Sequence, residues 1–129
     1  MSKRMDEVID TSAVQPDNLI AGINPSAEVF HVTLKGGQGE LKRGTLLALN
    51  NGKYEIIGTD TTGKANAVLA DTVDTGAAPE EAADVDGVAY RTGHFNGNVL
   101  AVSEGYTITA EDKEALRGVG ILLSDAVKI

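Results

Sequence analysis

The sequence predicts a small, mainly β domain of bent hairpins, with one short helix near its C-terminus and an extended N-terminal arm. Three observations predict this fold class. Short segments rich in β-branched residues alternate apolar and polar side chains, as residues 28–34 do. Asn-Gly dipeptides at 51–52 and 96–97 are typical of tight turns between strands. A single segment, residues 109–118, carries the capping pattern of a helix.

The length of the chain, 129 residues, fits one domain with one core. We assign residues 1–25 to a flexible N-terminal arm and residues 26–129 to the β-rich domain. Aromatic residues make up only 4% of the chain, so Val, Ile, Leu and Ala must supply most of the core. Such a core is thin, and association with identical subunits or with a large partner would stabilise it, because a partner that binds only the folded state favours that state.

Charge and composition exclude several classes of partner and site. The chain has 19 acidic and 11 basic residues, a net charge of −8, and no run of Lys or Arg suited to a phosphate backbone, so we expect no nucleic-acid binding. It has no cysteine, which excludes disulfides and thiolate metal sites. No stretch approaches the roughly 20 apolar residues of a membrane span, and the first residues lack the apolar centre of a signal peptide. We therefore expect a soluble protein without membrane contact.

The first 25 residues show no sustained period of 2 or 3.6 and contain Pro16 and Pro25. They are nevertheless more apolar than a simple linker needs. An arm without structure of its own that carries β-branched residues is a candidate for adding a strand to a partner. The alternative is a terminus that simply frays.

The body of the chain contains a series of predicted strands. Residues 28–34 form the first one. Residues 45–50 and 53–58 form a hairpin around Asn51-Gly52, and because both faces of this hairpin are apolar, we expect both to be covered. Residues 65–70 form a further strand, and residues 87–102 form a second hairpin around Asn96-Gly97.

Two loops have some features of ligand-binding sites. Residues 39–45 have the outer spacing of a phosphate-binding loop, but they lack the Lys that would reach the phosphates, so residues 36–39 are better read as a flexible connection. Residues 71–86 contain six acidic and no basic residues, but the register of a calcium-binding loop fails there. A solvated loop, with a short helical turn at 77–83, is the favoured reading.

No residue pattern indicates catalysis, a metal or a cofactor. His31 and His94 lie in strand-like contexts, and nothing in their spacing supplies a nucleophile or a metal partner. The predicted helix begins after Thr109 as its cap, has acidic residues in its first turn and Arg117 in its last, and is expected to stop at Gly118. A closing strand follows at residues 119–123.

Several short motifs follow one another in a specific order and spacing. Tyr90, Gly93 and Phe95 form a Tyr-x-x-Gly-x-Phe strand, which is followed by Val-Leu, a capped helix and a small-residue segment at 116–121. Upstream lie Gly-Thr-Leu-Leu at 44–47, Lys-Tyr-Glu at 53–55 and Ala-Val-Leu-Ala at 67–70. Together these motifs, which cover roughly residues 40–123, resemble those of the lambda-type bacteriophage head decoration protein family. The longer acidic loop and the glycine-rich connection are departures from its pattern.

The resemblance implies a structural protein of the virion without enzymatic activity. Family members have a β-clip fold, form homotrimers and bind at three-fold sites on the outer surface of the expanded head, where they stabilise the major capsid protein lattice. The resemblance thus implies a virion location after synthesis in the host cytoplasm. It also implies that the arm orders on the capsid and adds a strand to a capsid sheet. We expect the contact residues to be the stiff and apolar positions nearest the body, namely Pro16, Leu19, Ile20, Ile23 and Pro25.

Two alternative functions stay open at this point. One is an enzyme on a trimeric β-clip fold that acts on nucleotides, such as a nucleotide pyrophosphatase, with the acidic and glycine-rich loops holding phosphate. The other is an adhesion module displayed on the virion surface.

Overall fold

The computed structural model describes residues 19–22, 25–77 and 83–124. Within these ranges the chain forms nine strands, one α-helix and two 3-10 turns, at Thr59–Thr61 and Gly97–Val99. The prediction of a mainly β protein with one helix near the C-terminus is confirmed. The elements are β1 Ile20–Gly22, β2 Glu28–Leu34, β3 Glu40–Leu41, β4 Leu46–Asn50, β5 Lys53–Ile56, β6 Ala65–Leu69, β7 Val73–Asp74, β8 Val85–Asn96, α1 Ala110–Val119 and β9 Ile121–Ser124.

Five strands form a closed ring of pairings around the long strand β8. On one edge, β8 pairs antiparallel with β2, from Val29↔Tyr90 to Leu34↔Val85. β2 then meets β5 at a single parallel pair, β5 pairs with β4, and β4 pairs with β6. β6 returns to the other edge of β8 through Val68↔Tyr90. The pairings thus close into a ring, in which β2 and β5 are joined only at Leu34↔Tyr54.

Two apolar clusters lie on opposite faces of this ring. The inner cluster receives side chains from all five ring strands, and the outer cluster receives side chains from α1, β9 and the segment before β1. The inner one comprises Val32, Leu34, Leu41, Leu47, Tyr54, Ala67, Leu69 and Ala89. The outer one comprises Leu19, Leu46, Ala48, Ile57, Ala65, Val68, Ala70, Tyr90, Phe95, Leu116 and Ile121. Both faces of the first hairpin therefore pack on apolar clusters, as predicted, except at Leu49, which is 39% exposed.

The first predicted hairpin is confirmed in its turn as well as its strands. Asn51 and Gly52 have φ angles of 55° and 82°, and Asn50 pairs directly with Lys53 across them. Positive φ at both central residues gives the turn a twist that matches the twist of the two strands. The predicted strands at 28–34 and 65–70 are present as β2 and β6.

The second predicted hairpin, at residues 87–102, is wrong. Residues 85–96 form one continuous strand of 12 residues, and Asn96 has a φ of −82° rather than a positive value. The Asn96 side chain instead accepts a hydrogen bond from the Asn98 amide at 3.0 Å, and this bond starts the 3-10 turn Gly97–Val99. The chain then crosses to the start of β4, where Ala101 pairs with Thr45.

The predicted helix is present, but it ends later than expected. Thr109 caps it and accepts a hydrogen bond from the Asp112 amide at 3.1 Å. Gly118 lies inside the helix, so its predicted role as the stop is wrong. The stop is Gly120, whose φ of 97° is the left-handed conformation that glycine adopts readily and whose amide bonds back to the last turn.

Candidate binding region at the end of the long strand

The last four residues of β8, residues 93–96, lie between two short strands from opposite ends of the chain. β1 pairs antiparallel with them, with Ile20 opposite Phe95. β9 pairs with them in parallel on the other side, and Ser124 is opposite Asn96. The chain therefore enters the described domain and leaves it beside the same residues, and the segments before 19 and after 124 start from one end of the fold.

Leu19 fixes the point at which the N-terminal segment meets the domain. Its side chain is only 1% exposed and belongs to the outer cluster together with Phe95. Its carbonyl accepts a hydrogen bond from the Asn96 amide at 2.8 Å. The apolar character of Leu19 and Ile20 thus serves packing within this chain, and Ile20 is half-buried against the same cluster.

Of the five residues predicted to contact a partner, the structure describes three. Leu19 and Ile20 lie side by side at the end of β8, while Pro25 is half-buried in the bend that leads into β2. Pro16 and Ile23 lie outside the described residues. The partner contact of all five stays a prediction.

A groove of about 600 Å³ adjoins this end of the fold and was not predicted from the sequence. Gly97 and Asn98 line it next to β8, Leu123 and Ser124 line it from β9, and Lys113 lines it from α1. The remaining wall comes from the segment between the second 3-10 turn and α1, namely Val102, Tyr106, Thr107 and Ile108. These residues come from separate parts of the chain, so no local pattern could have revealed the groove.

A buried carboxylate holds one wall of this groove. Asp112 in the first turn of α1 is fully buried and accepts hydrogen bonds from the amides of Gly63 at 2.8 Å and Thr109 at 3.0 Å. It also accepts a short hydrogen bond from the hydroxyl of Tyr106, which lies 3.1 Å from the Thr62 hydroxyl. The Tyr106 ring is therefore fixed by its polar end.

This arrangement sets the charge of both groups. Burial by itself would raise the pKa of the Asp112 carboxyl, but the hydrogen bonds from Thr109, Tyr106 and Gly63 outweigh it, and the pKa is lowered. The pKa of Tyr106 is raised, first by burial and then by its hydrogen bond to Asp112. At neutral pH the pair is thus an ionised carboxylate and a neutral phenol, which suits a structural contact.

The glycine-rich connection offers no free amides to a phosphate. Gly36 donates to the Asp84 carboxylate at 3.1 Å, and Gln38 donates to the hydroxyl of Thr75 at 2.8 Å. The amides of Gly37 and Gly39 donate to the carbonyls of Thr75 and Gly76, both at 2.7 Å. A phosphate loop needs such amides directed at its ligand, so the structure disfavours the phosphate-loop reading.

Part of the acidic segment has a structural role beside this connection. The Asp84 carboxylate also forms an ion pair with Lys53 at 2.7 Å. The hydrogen bond from Lys53, followed by that from Gly36, lowers the pKa of Asp84. Val73 and Asp74 form β7, which pairs with β3. Most of the helical turn predicted at 77–83 lies outside the described residues.

The two histidines lie on strands, as predicted. His31 is exposed on β2, and half-buried His94 packs on Gly22, where a side-chain carbon at that glycine would lie 2.6 Å from the His94 Nδ1. In residues 19–22, 25–77 and 83–124, no three of His, Cys, Asp and Glu are grouped in a way that could hold a metal ion. None of the helical segments in these ranges has the length and apolar character needed to cross a membrane.

Comparison with known families identifies a family for this chain. The family model described as bacteriophage lambda head decoration protein D matches residues 8–123. The match begins within the predicted arm, includes the groove wall from residue 97 to residue 108, and ends inside β9. A comparison with curated proteins gives no match.

Proposed function

Because this chain belongs to the family of bacteriophage lambda head decoration protein D, we propose that it binds the outer surface of the expanded phage head and stabilises it there. The proposed form is a homotrimer at three-fold sites, and the proposed partner is the major capsid protein. The observation that carries this proposal is the family match over residues 8–123, which includes both the predicted arm and the domain. No catalytic step is part of it.

The contacts at the end of β8 support a division of the predicted arm into a part that packs on its own domain and a part that contacts the partner. Leu19 is buried and residues 20–22 pair with β8, so this part of the predicted arm already has its partner within the chain. The strand addition expected of residues 1–25 then falls to residues 1–18, where Val8, Ile9 and Val14 supply β-branched side chains. Leu19 and Ile20 set the place and direction from which that segment starts. Contacts by Ile23 and Pro25 are a separate part of the proposal.

Self-association is supported by the thin core and by apolar surface near the C-terminal strand. Val119 and Leu122, on either side of the turn between α1 and β9, are 40% and 38% exposed. A contact between identical subunits over this surface would remove both side chains from water.

The decisive experiment compares the full chain with a variant that lacks residues 1–18. Expanded heads are incubated with each protein, bound protein is quantified after sedimentation, and electron microscopy locates the added density. We expect the full chain to appear at three-fold positions. The truncated chain should keep its melting temperature, because Leu19 is retained, and lose capsid binding.

A matched control is Leu116→Ala in the full chain, a fully buried position of the outer cluster outside the arm. It removes buried contacts and should lower the free energy of unfolding by about 2–5 kcal/mol, with capsid binding retained below its melting temperature. If the truncated chain decorates heads as well as the full chain does, the arm has no role in binding. If the full chain itself gives no density on heads, the proposed function is wrong.

A further inference from the structure

We propose that Asn51 is a site of spontaneous deamidation in the folded protein, whereas Asn96, in the second Asn-Gly pair, is protected. Deamidation converts an asparagine into a mixture of aspartate and isoaspartate without any enzyme. In this chain Asn51 and Asn96 are the two asparagines that a glycine follows. The inference concerns the chemistry of the domain itself and stands whether or not the protein binds a phage head.

The reaction needs only a backbone amide, a side-chain amide and water. The backbone nitrogen of the following residue loses its proton and attacks Cγ of the asparagine, so an N–C bond forms. The Cγ–Nδ2 bond breaks, and the nitrogen takes up a proton and leaves as ammonia. Water then opens the succinimide ring at either carbonyl, which gives aspartate or isoaspartate. A following glycine favours the attack, because it has no Cβ to obstruct the approach.

The turn at Asn51 leaves the reacting groups open. Asn51 and Gly52 are both exposed at the tip of the first hairpin, and a carbon added at Gly52 would meet no other atom within 4 Å. The ladder of the hairpin ends at the pair Asn50↔Lys53. Among the residues that the structure describes, the Gly52 amide has no hydrogen-bond acceptor. The attacking nitrogen and water therefore both have access to the Asn51 side chain.

The second pair has the same two residues in a closed setting. Asn96 is only 4% exposed, and its side-chain oxygen accepts the hydrogen bond from the Asn98 amide. Its own amide donates to the Leu19 carbonyl, so its backbone is held as well. A carbon added at Gly97 would lie 3.7 Å from the Leu123 Cβ, so β9 packs beside that glycine. Attack on Cγ of Asn96 thus requires that a buried hydrogen bond break and that water enter.

The two products affect the hairpin differently. Aspartate keeps the length of the turn, and Asp-Gly is itself a favoured pair for this type of turn. Isoaspartate carries the backbone through its side chain and adds one methylene group before Gly52, which disrupts the two-residue turn between Asn50 and Lys53. Each product also adds one negative charge to a chain whose net charge is −8. The modification therefore changes the hairpin progressively as the protein ages.

The test incubates the full folded chain at mildly alkaline pH, where more of the attacking amide is deprotonated, and follows each asparagine by peptide mass spectrometry. Digestion in water enriched in heavy oxygen marks any conversion that occurs during digestion. We expect Asn51 to convert to both products. Asn96 should react roughly 5- to 150-fold more slowly, because breaking its buried hydrogen bond adds to the barrier.

The same chain unfolded in urea gives the intrinsic rates. There the difference between Asn51 and Asn96 should largely disappear, because neither burial nor the bond from Asn98 remains. Asn51→Asp is the matched variant for the added charge, and it should keep the wild-type melting temperature. The isoaspartate form, separated from aged protein by ion exchange, should melt at a lower temperature than this variant.

Three results would overturn these expectations. Equal rates at Asn51 and Asn96 in the folded chain would show that the fold does not distinguish the two sites. A difference that persisted in urea would assign it to the flanking residues, and the protection of Asn96 by the fold would be wrong. An isoaspartate form that melts with the Asn51→Asp variant would refute the disruption of the turn.

Discussion

The dipeptide Asn-Gly occurs at two places in this chain with different outcomes. At Asn51-Gly52 both residues have positive φ, and the chain reverses into a hairpin. At Asn96-Gly97 the Asn has a φ of −82°, and the chain continues into a 3-10 turn. The difference lies in the neighbours of the strand that precedes each turn. β4 pairs with β5, the strand that follows the first turn. The end of β8 is already paired with β1 on one edge and β9 on the other, so no edge is left for the segment that follows it.

This comparison separates two kinds of structure in one small domain. The first hairpin is specified by residues that follow each other in sequence, and its turn is exposed. The end of β8 is specified by segments that are distant in sequence. Leu19, β1, α1 and β9 all meet there. The candidate binding region lies at the second kind of site, where the fold gathers distant residues.

Removal of the Phe95 ring should have the largest effect, because that ring holds the gathered segments together. Phe95 is fully buried, its ring centre lies 5.1 Å from that of Tyr90, and it shares the outer cluster with Leu19, Leu116 and Ile121. We expect Phe95→Ala to lower the free energy of unfolding by about 3–5 kcal/mol, measured by urea denaturation. A loss below about 1 kcal/mol would mean that the end of β8 is not a packed junction.

Phe30→Ala is the matched control for that experiment. Phe30 is half-buried at the margin of the inner cluster, where it meets Tyr54 edge-on with ring centres 6.0 Å apart. Because less of its surface is removed from water, its truncation should cost less than that of Phe95. Equal losses at the two positions would remove the distinction between the junction and the rest of the domain.

The same distinction explains which parts of the fold could be predicted. β2, β6 and the first hairpin follow from local alternation and turn residues, and they were predicted correctly. The helix stop was misplaced because Gly118 tolerates the helix while Gly120 takes the left-handed conformation. The prediction of the second hairpin was wrong because the turn preference of Asn96-Gly97 competes with pairing to β1 and β9, which lie near it only in the folded chain.

The groove of the candidate site was not predicted, for a related reason. Leu19 was chosen as a contact residue because it is apolar and close to the body, and the same properties place it in the core. Sequence alone does not distinguish an apolar side chain that binds a partner from one that packs within its own chain. The groove has no local signature, since Gly97, Tyr106 and Leu123 become neighbours only through folding.

Asp112 links the two regions, and its removal should have the second largest effect. Its carboxylate joins Gly63, in the loop after the first hairpin, to Thr109 and Tyr106, which follow the second Asn-Gly. Asp112→Asn replaces one acceptor with a donor that cannot pair with a backbone amide, and this should cost about 1–3 kcal/mol. Chemical denaturation at pH 7 measures the loss.

The pH dependence of unfolding tests the charge of this link. The folded pKa of Asp112 lies below its usual value, so its contribution to stability is fully present above the unfolded pKa of about 3.9 and is lost as the pH falls through the lower folded pKa. Asp112→Asn should therefore flatten the acid limb of the stability curve. Glu104→Gln, at an exposed loop position, is the control for removing one carboxylate. If both variants keep the wild-type acid limb, the carboxylate of Asp112 is not stabilised by folding.

The smallest predicted effect concerns the two glycines, Gly52 and Gly97. For these substitutions the sign of the stability change matters more than its size. Gly52 has a φ of 82°, so Gly52→Ala should cost about 1–2 kcal/mol although a methyl group there would meet no other atom within 4 Å. Gly97 has no positive φ, and an added methyl carbon would lie 3.7 Å from the Leu123 Cβ, an ordinary contact. Gly97→Ala should therefore leave the melting temperature unchanged or raise it slightly, because alanine has less freedom to lose on folding. If both Asn-Gly pairs formed hairpin turns, the two substitutions would lower stability equally. A loss of stability at Gly52 alone therefore distinguishes a turn specified by its own residues from a strand end specified by distant ones.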